Sequence, residues 1–186
     1  MNETLEIIRE RYSCRDFTEQ MPSNEQLNAI AQAAIQAPSG MNRQHWHVFV
    51  VTNAELISEM EQEGLINLKN TNSELYERVQ SRNSGLFYHA PCMLLFAIKA
   101  AQPAGGEYTD LGITAQNAVI AAESLGLASL HCGMANLAFA GNKRDYFKNK
   151  LGFPEGYECG LAVLVGTAKN PGDPHEPDQS KITFIA

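Results

Sequence analysis

Helix-like and strand-like segments alternate along this sequence of 186 residues, which predicts a single mixed domain of helices and strands. Two further observations shape that expectation. A hydrophobic content of 44% with 19% charged residues is that of a globular chain, neither disordered nor membrane-spanning. Gly-x-Gly-x-x-Gly and Gly-x-x-x-x-Gly-Lys-Ser/Thr are both missing, so an ordinary dinucleotide-binding fold is not expected.

The elements follow in order. Leu5, Ile7 and Ile8 recur at roughly helical spacing between Glu3 and Arg9, after which Arg11 to Phe17 becomes extended. Ser23-Asn24-Glu25-Gln26 has the form of a capping box, and Leu27, Ile30, Ala31 and Ala34 carry one apolar face up to Pro38. Trp46 to Thr52 is apolar and β-branched, hence a strand, and Ala54 to about Glu63 returns to helix. From Gly64 to Arg82 the pattern is charged and weakly amphipathic, predicting one or two mobile helices that could cover a site. Cys92 to Ile98 is a continuous apolar run, a strand for a buried position, and Gly105-Gly106 marks a turn.

Thr109 to Leu125 is apolar or Ala on nearly every side. A helix of that kind must be covered all round, by its own domain or by a second subunit. Gly126 ends it. Ser129 to Cys132 and Gly160 to Val165 read as strands, separated by a polar helix over Asn142 to Lys150. Beyond Gly166, Asn170 to Gln179 is too rich in Pro and Gly for regular structure, yet Ile182 to Ile185 is strand-like. The chain is therefore expected to be one domain over 1–186, with 167–186 as an extended arm docked onto something.

Net charge is -7, and the only basic groupings are Arg11/Arg15 and Lys143-Arg144, which disfavours a nucleic-acid surface. No apolar stretch approaches the ~20 residues of a bilayer helix, so no membrane partner is expected. Met1 leads directly into acidic and polar residues without a signal-like core, and a cytoplasmic address follows. Cys14, Cys92, Cys132 and Cys159 are scattered without a Cys-x-x-Cys pair, against both a zinc knuckle and a disulfide scaffold.

Four groups of residues are candidates for chemistry. Arg11, Ser13 and Arg15 stand two apart, so an extended backbone aims two guanidinium groups and a hydroxyl to one side, which is an anion receptor. Pro38, Ser39, Gly40, Asn42 and Gln44 form a polar loop that feeds the strand at Trp46; on composition alone it is a turn. His131 and Cys132 are neighbours, but adjacent side chains on an extended backbone point to opposite faces, so a Cys-His nucleophile pair is not expected. His45 and His47 lack an Asp, Glu or Cys at suitable spacing to complete a ligand set, so no metal is expected there.

The Arg-x-Ser-x-Arg element at Arg11 to Arg15 and the Pro-Ser-x-x-Asn-x-Gln-x-Trp element at Pro38 to Trp46 together resemble the nitroreductase family of FMN enzymes. The likeness extends to Phe87-Tyr88-His89-Ala90-Pro91, Gln116-Asn117, Leu125 to Ser129 and Lys181. It implies an α+β fold, a central and mostly antiparallel sheet flanked by helices, built as an intertwined homodimer with FMN at the subunit interface. It assigns Arg11 and Ser13 to the phosphate, Arg15 to the pyrimidine edge of the ring, and Asn42 and Gln44 to the flavin of the neighbouring subunit. Gly40 stands where relatives commonly carry a second serine.

Asn83 would reach the pyrimidine end and Lys181 the phosphate, while His131, Cys132 and Gly133 lie where relatives present backbone N–H groups near N5. Relatives often carry an aromatic residue at the place of His131. The activity implied is hydride transfer from NADH or NADPH through the flavin to a nitroaromatic, a quinone or a similar small-molecule acceptor, by a ping-pong mechanism. Two alternatives stay open: a flavin storage or sensing protein without turnover, and a superfamily dehalogenase or flavin-degrading enzyme.

Overall fold

Four antiparallel strands form the middle layer of the protein, seen in a computed structural model that describes residues 2–99 and 106–185. The strands β1 (Trp46–Val51), β2 (Cys92–Lys99), β3 (Ala128–Cys132) and β4 (Tyr157–Gly166) are arranged in the order β1-β2-β4-β3. The two longest strands are central, and the shorter ones form the edges. In β2 every residue but Lys99 is buried, because both faces of the sheet are covered. Met93 and Leu95 enter one core, whereas Cys92, Leu94, Phe96 and Ile98 enter the other.

One face carries α2 (Asn24–Ile35) and α5 (Gly106–Ser124), whose Leu27, Ile30, Leu111, Ala115 and Val119 pack on Leu94 and Phe96. The other carries α3 (Ala54–Thr71), α4 (Ser73–Ser81), a 3₁₀ helix over Gly133–Phe139 and α6 (Arg144–Leu151), contributing Met60, Leu68, Val79, Phe139 and Phe147. The N-terminal helix α1 (Glu3–Glu10) lies against α5 and buries none of its residues.

Local signals account for much of this. The capping box is reciprocal: Gln26 N donates to Ser23 Oγ at 3.2 Å, and Ser23 N donates to Gln26 Oε1 at 2.9 Å. Asn117 Nδ2 donates to Ala33 O at 3.1 Å and ties α5 to α2. A bulge between Phe96 and Ala97 leaves Gly160 unpaired in β4, where a Cβ would come within 2.7 Å of Leu111 Cδ2. The missing side chain is what lets α5 lie flat on the sheet.

The structure departs from the sequence expectations at four places. Gly64 does not mark the end of a helix near Glu63; α3 runs through it to Thr71, and the bare backbone there admits Leu86 against the helix. Leu68 and Val79 are only 2% and 1% exposed, so each of α3 and α4 sets a side chain into the core. Gly106 is the first residue of α5 and not part of a turn, while Gly105 lies outside the described residues. Ile182 to Ile185 has no strand partner among the described residues, and after Gln179–Lys181 the arm is irregular and exposed. The face of α5 that includes Tyr108, 61% exposed, is not covered by the described residues of the protomer.

Candidate functional site

The extended stretch after α1 runs beside β3. Cys14 N donates to Ser129 O at 3.0 Å, Ser13 bridges Ser129 in parallel, and Phe17 bridges Ala168. Cys14 and Phe17 are therefore drawn into the core, and Arg11, Ser13 and Arg15 remain on the outward side. Arg15 Nη1 makes only a long contact of 3.4 Å to Ser13 O. Neither guanidinium forms an ion pair among the described residues, although the chain carries a net charge of -7. Arg11 acts at longer range on Glu123, partly offsetting the rise that burial gives that carboxyl. Two guanidinium groups outside any close ion pair, flanking an exposed hydroxyl, match phosphate or another oxyanion.

The loop that follows α4 supplies the next wall. Arg15 and Asn83 share a cavity of about 440 Å³ with Asp16, Arg82, His89 and Lys169. The loop is held from beneath by Glu61 of α3, whose Oε1 accepts from Leu86 N at 2.7 Å and from Phe87 N at 2.9 Å. At Gly85, φ is 61° and a Cβ would collide with that carboxylate, so the position admits only glycine without strain. Asn83, Tyr88 and His89 are also left-handed, with φ of 51°, 52° and 61°. Phe17 N donates to Tyr88 O at 3.2 Å, joining this loop to the strand that carries Arg15.

His131 points outward from β3 and Cys132 inward, as alternation along an extended backbone requires. His131 Nε2 lies 3.1 Å from Gln116 Oε1 of α5. Partial burial, aided by the Arg11 guanidinium, holds this imidazole below its ordinary value. Ser129 Oγ, on the same side of the strand, is buried without a hydrogen-bond partner among the described residues. Cys132 Sγ contacts Leu86 O at 3.6 Å, and burial pushes its thiol up to about 11. A thiol so protonated is no nucleophile at neutral pH.

The second polar block stands apart. Ser39 Oγ accepts from Gln44 N at 2.9 Å, and Gln44 Nε2 donates to Asn42 Oδ1 at 2.9 Å. Met41, Asn42 and Gln44 are left-handed, and Gly40 N donates to Asp110 Oδ1 of α5 at 3.4 Å. This loop, from Pro38 to Gln44, feeds β1 at one edge of the sheet, whereas Arg11 to Arg15 run along β3 at the other. Three strand spacings, roughly 14 Å, separate those edges. Lys181 sits on the arm with its side chain 80% exposed and Nζ 3.7 Å from Asp178 Oδ2.

One protomer thus gathers Arg11, Ser13, Arg15, Asn83, His131 and the Cys132–Gly133 backbone at the β3 side, and leaves Ser39, Asn42, Gln44 and Lys181 elsewhere. Gln116, part of the Gln116-Asn117 likeness, meets His131 here. Glu61, Arg82 and Lys169 adjoin these residues without having been singled out in the sequence. They are ordinary charged residues whose convergence is visible only in three dimensions.

The family model described as "Nitroreductase family" matches residues 8–167. A nitroreductase with bound FMN from Desulfitobacterium hafniense is 52% identical, with 100% of both chains covered and a TM-score of 0.96. An FMN-dependent nitroreductase from Clostridium difficile is 27% identical over 99% of each chain, with a TM-score of 0.83. An Archaeoglobus fulgidus protein provisionally named NADH dehydrogenase/NAD(P)H nitroreductase is 26% identical over 184 residues, 96% of this chain and 92% of its own.

Proposed function

This chain belongs to the nitroreductase family and is an FMN-dependent oxidoreductase, and on that premise we propose that two copies share the cofactor sites and pass hydride from NADH or NADPH to a nitroaromatic, a quinone or a similar acceptor by a ping-pong mechanism. One observation carries the reading. Arg11 and Arg15, in no close ion pair among the described residues and outward beside Ser13, offer an anion receptor at one sheet edge, while the amide loop of Asn42 and Gln44 sits at the other. A second copy, related by symmetry, can set the amide loop of one chain beside the cations of its partner.

The residues fit FMN. Arg11 and Ser13 would take its phosphate, a dianionic group that guanidinium and hydroxyl donors match. Arg15 and Asn83 would hold the pyrimidine edge of the ring, where a fixed cation stabilises negative charge gained on reduction. The backbone N–H groups of Cys132 and Gly133 would face N5, and Lys181 would come from the arm. When bound, FMN supplies the electron chemistry, accepting hydride from nicotinamide and giving it to the acceptor. The chain's own task is to orient, to fix charge and to offer a stacking surface, so no nucleophile or general base is asked of it.

The exposed arm supports a shared site. Ile182, Phe184 and Ile185 are 61%, 93% and 94% exposed in the protomer, a run of apolar surface that a partner would cover. All four cysteines are free, which suits a reducing cytoplasm. Among the described residues no helix is long and apolar enough to cross a membrane.

Anaerobic titration of the FMN-loaded protein with NADH and with NADPH tests this function. Bleaching of the yellow absorption, followed by reoxidation with a nitroarene or a quinone, is the expected result. Yellow protein that neither nicotinamide bleaches would instead be a storage or sensing protein. Sedimentation is expected to give a dimer, and a monomer that retains FMN tightly would overturn the shared site.

A further inference from the structure

The cavity lined by Arg15 and Asn83 contains more positive charge than a flavin ring edge requires. Arg82 reaches it from the C-cap of α4, and Lys169 reaches it from the segment after β4. Neither is in an ion pair among the described residues. Arg82 Nη1 donates to Tyr88 OH at 3.3 Å, and the backbone of Lys169 is anchored by its N–H donating to Asp16 O at 3.0 Å, which brings an exposed ammonium to the cavity on a fixed stem. The one acid on the wall, Asp16, faces His89, with Oδ1 3.8 Å from Nδ1. A solvated surface would scatter cations. Here segments distant in sequence bring three of them to one cavity of about 440 Å³ in a chain of net charge -7.

We propose that Arg82 and Lys169 form an oxyanion subsite, distinct from Arg11 and Ser13, that takes a phosphate or carboxylate group of the molecule exchanging hydride with the enzyme. The assignment rests on the flavin reading, since it is Arg15 and Asn83 that would put the ring beside this cavity. Guanidinium and ammonium together suit a compact oxyanion, the first through paired donors and the second as a mobile point charge. The anionic group has two possible sources, the phosphates of the nicotinamide nucleotide and the carboxylate of an acidic acceptor.

The test uses FMN-saturated protein titrated with inorganic pyrophosphate and, separately, with benzoate. Binding is followed by calorimetry and by the visible difference spectrum of the flavin, with FMN content measured before and after. One saturable site per chain is expected. Lys169→Gln, which leaves the loop after α4 untouched, should weaken it about tenfold, and Lys169→Gln with Arg82→Gln should weaken it further, with FMN content unchanged.

Tighter pyrophosphate binding identifies the nucleotide as the source, and tighter benzoate binding an acidic acceptor. Absence of saturable binding, or equal binding by wild type and double variant, overturns the subsite. A protein that retains no FMN would fail the flavin reading instead, and the calorimetric comparison of wild type with double variant would still decide the subsite.

Discussion

The loop of residues 82–90 and the arm of residues 170–185 are both irregular and both carry candidate site residues, yet the chain treats them in opposite ways. The loop is bonded from several sides by its own protomer: Glu61 beneath, Phe17 beside, Cys132 behind. It buries Leu86, Phe87 and Tyr88 at 0%, 2% and 5% exposure. The arm leaves Phe184 and Ile185 in solvent, while near its start Gly172 lies close on the ring of Tyr12. Irregular backbone is thus no index of disorder. What separates the two is that contacts within the protomer fix the loop, whereas the apolar end of the arm is left exposed, where the proposed second copy would cover it.

Removing residues 170–186 should have the largest effect. Covering each large apolar side chain of the arm is worth about 1.5–3 kcal/mol. Loss of Ile182, Phe184 and Ile185 together should therefore shift the dimer to monomer in sedimentation and release FMN on gel filtration. A truncated chain that stayed dimeric would erase the contrast drawn above.

The loop should fail next, and by a different route. Glu61→Ala strands two buried N–H groups, each costing about 1–3 kcal/mol, and should lower the thermal midpoint sharply without changing oligomeric state. Gly85→Ala forces a Cβ into the same carboxylate at φ 61° and should lose about 1–2 kcal/mol or more. Glu61→Gln keeps one acceptor and should be milder than either.

Arg15→Ala touches no support of loop or arm. It should weaken FMN retention about tenfold or more and slow reduction, with the melting temperature of the apoprotein nearly unchanged. A fall in that temperature would show Arg15 to be part of the scaffold.

Cys132→Ala should be the smallest change, leaving turnover largely intact. Its pH signature is specific. Burial raises the folded-state value from 9.0 to about 11, so between those values the unfolded chain gives up its proton first. Stability therefore declines as pH rises through that window, and the variant should decline less steeply in denaturant titrations. Loss of activity in Cys132→Ala with FMN still bound would contradict a backbone-only role there.

Local rules made the scaffold legible. Ser23 and Gln26 announce the start of α2, the run from Cys92 to Ile98 announces a strand covered on both faces, and Gly126 ends α5. The Arg-x-Ser-x-Arg spacing placed three polar side chains on one side because alternation is a property of extended backbone itself. Glu61, Arg82 and Lys169 were illegible for the complementary reason. Along the chain, Glu61 on α3 looks like any solvated acid, and only the arrival of Leu86 and Phe87 gives it a task. Ile182 to Ile185 looks like a strand, but a ladder needs a neighbour, and none of the described residues provides one.

Among the described residues, six other than glycine adopt left-handed backbone: Met41, Asn42 and Gln44 in one loop, Asn83, Tyr88 and His89 in the other. Conformations of this kind are disfavoured by up to ~1–3 kcal/mol apiece, and here they fall only in segments that carry or adjoin candidate cofactor contacts. Hydrogen bonds within the protomer hold several of these torsions, with Gln44 N donating to Ser39 Oγ and Phe17 N donating to Tyr88 O. Association with FMN should then proceed with little reordering, in a single fast kinetic phase rather than a rapid encounter followed by slow tightening.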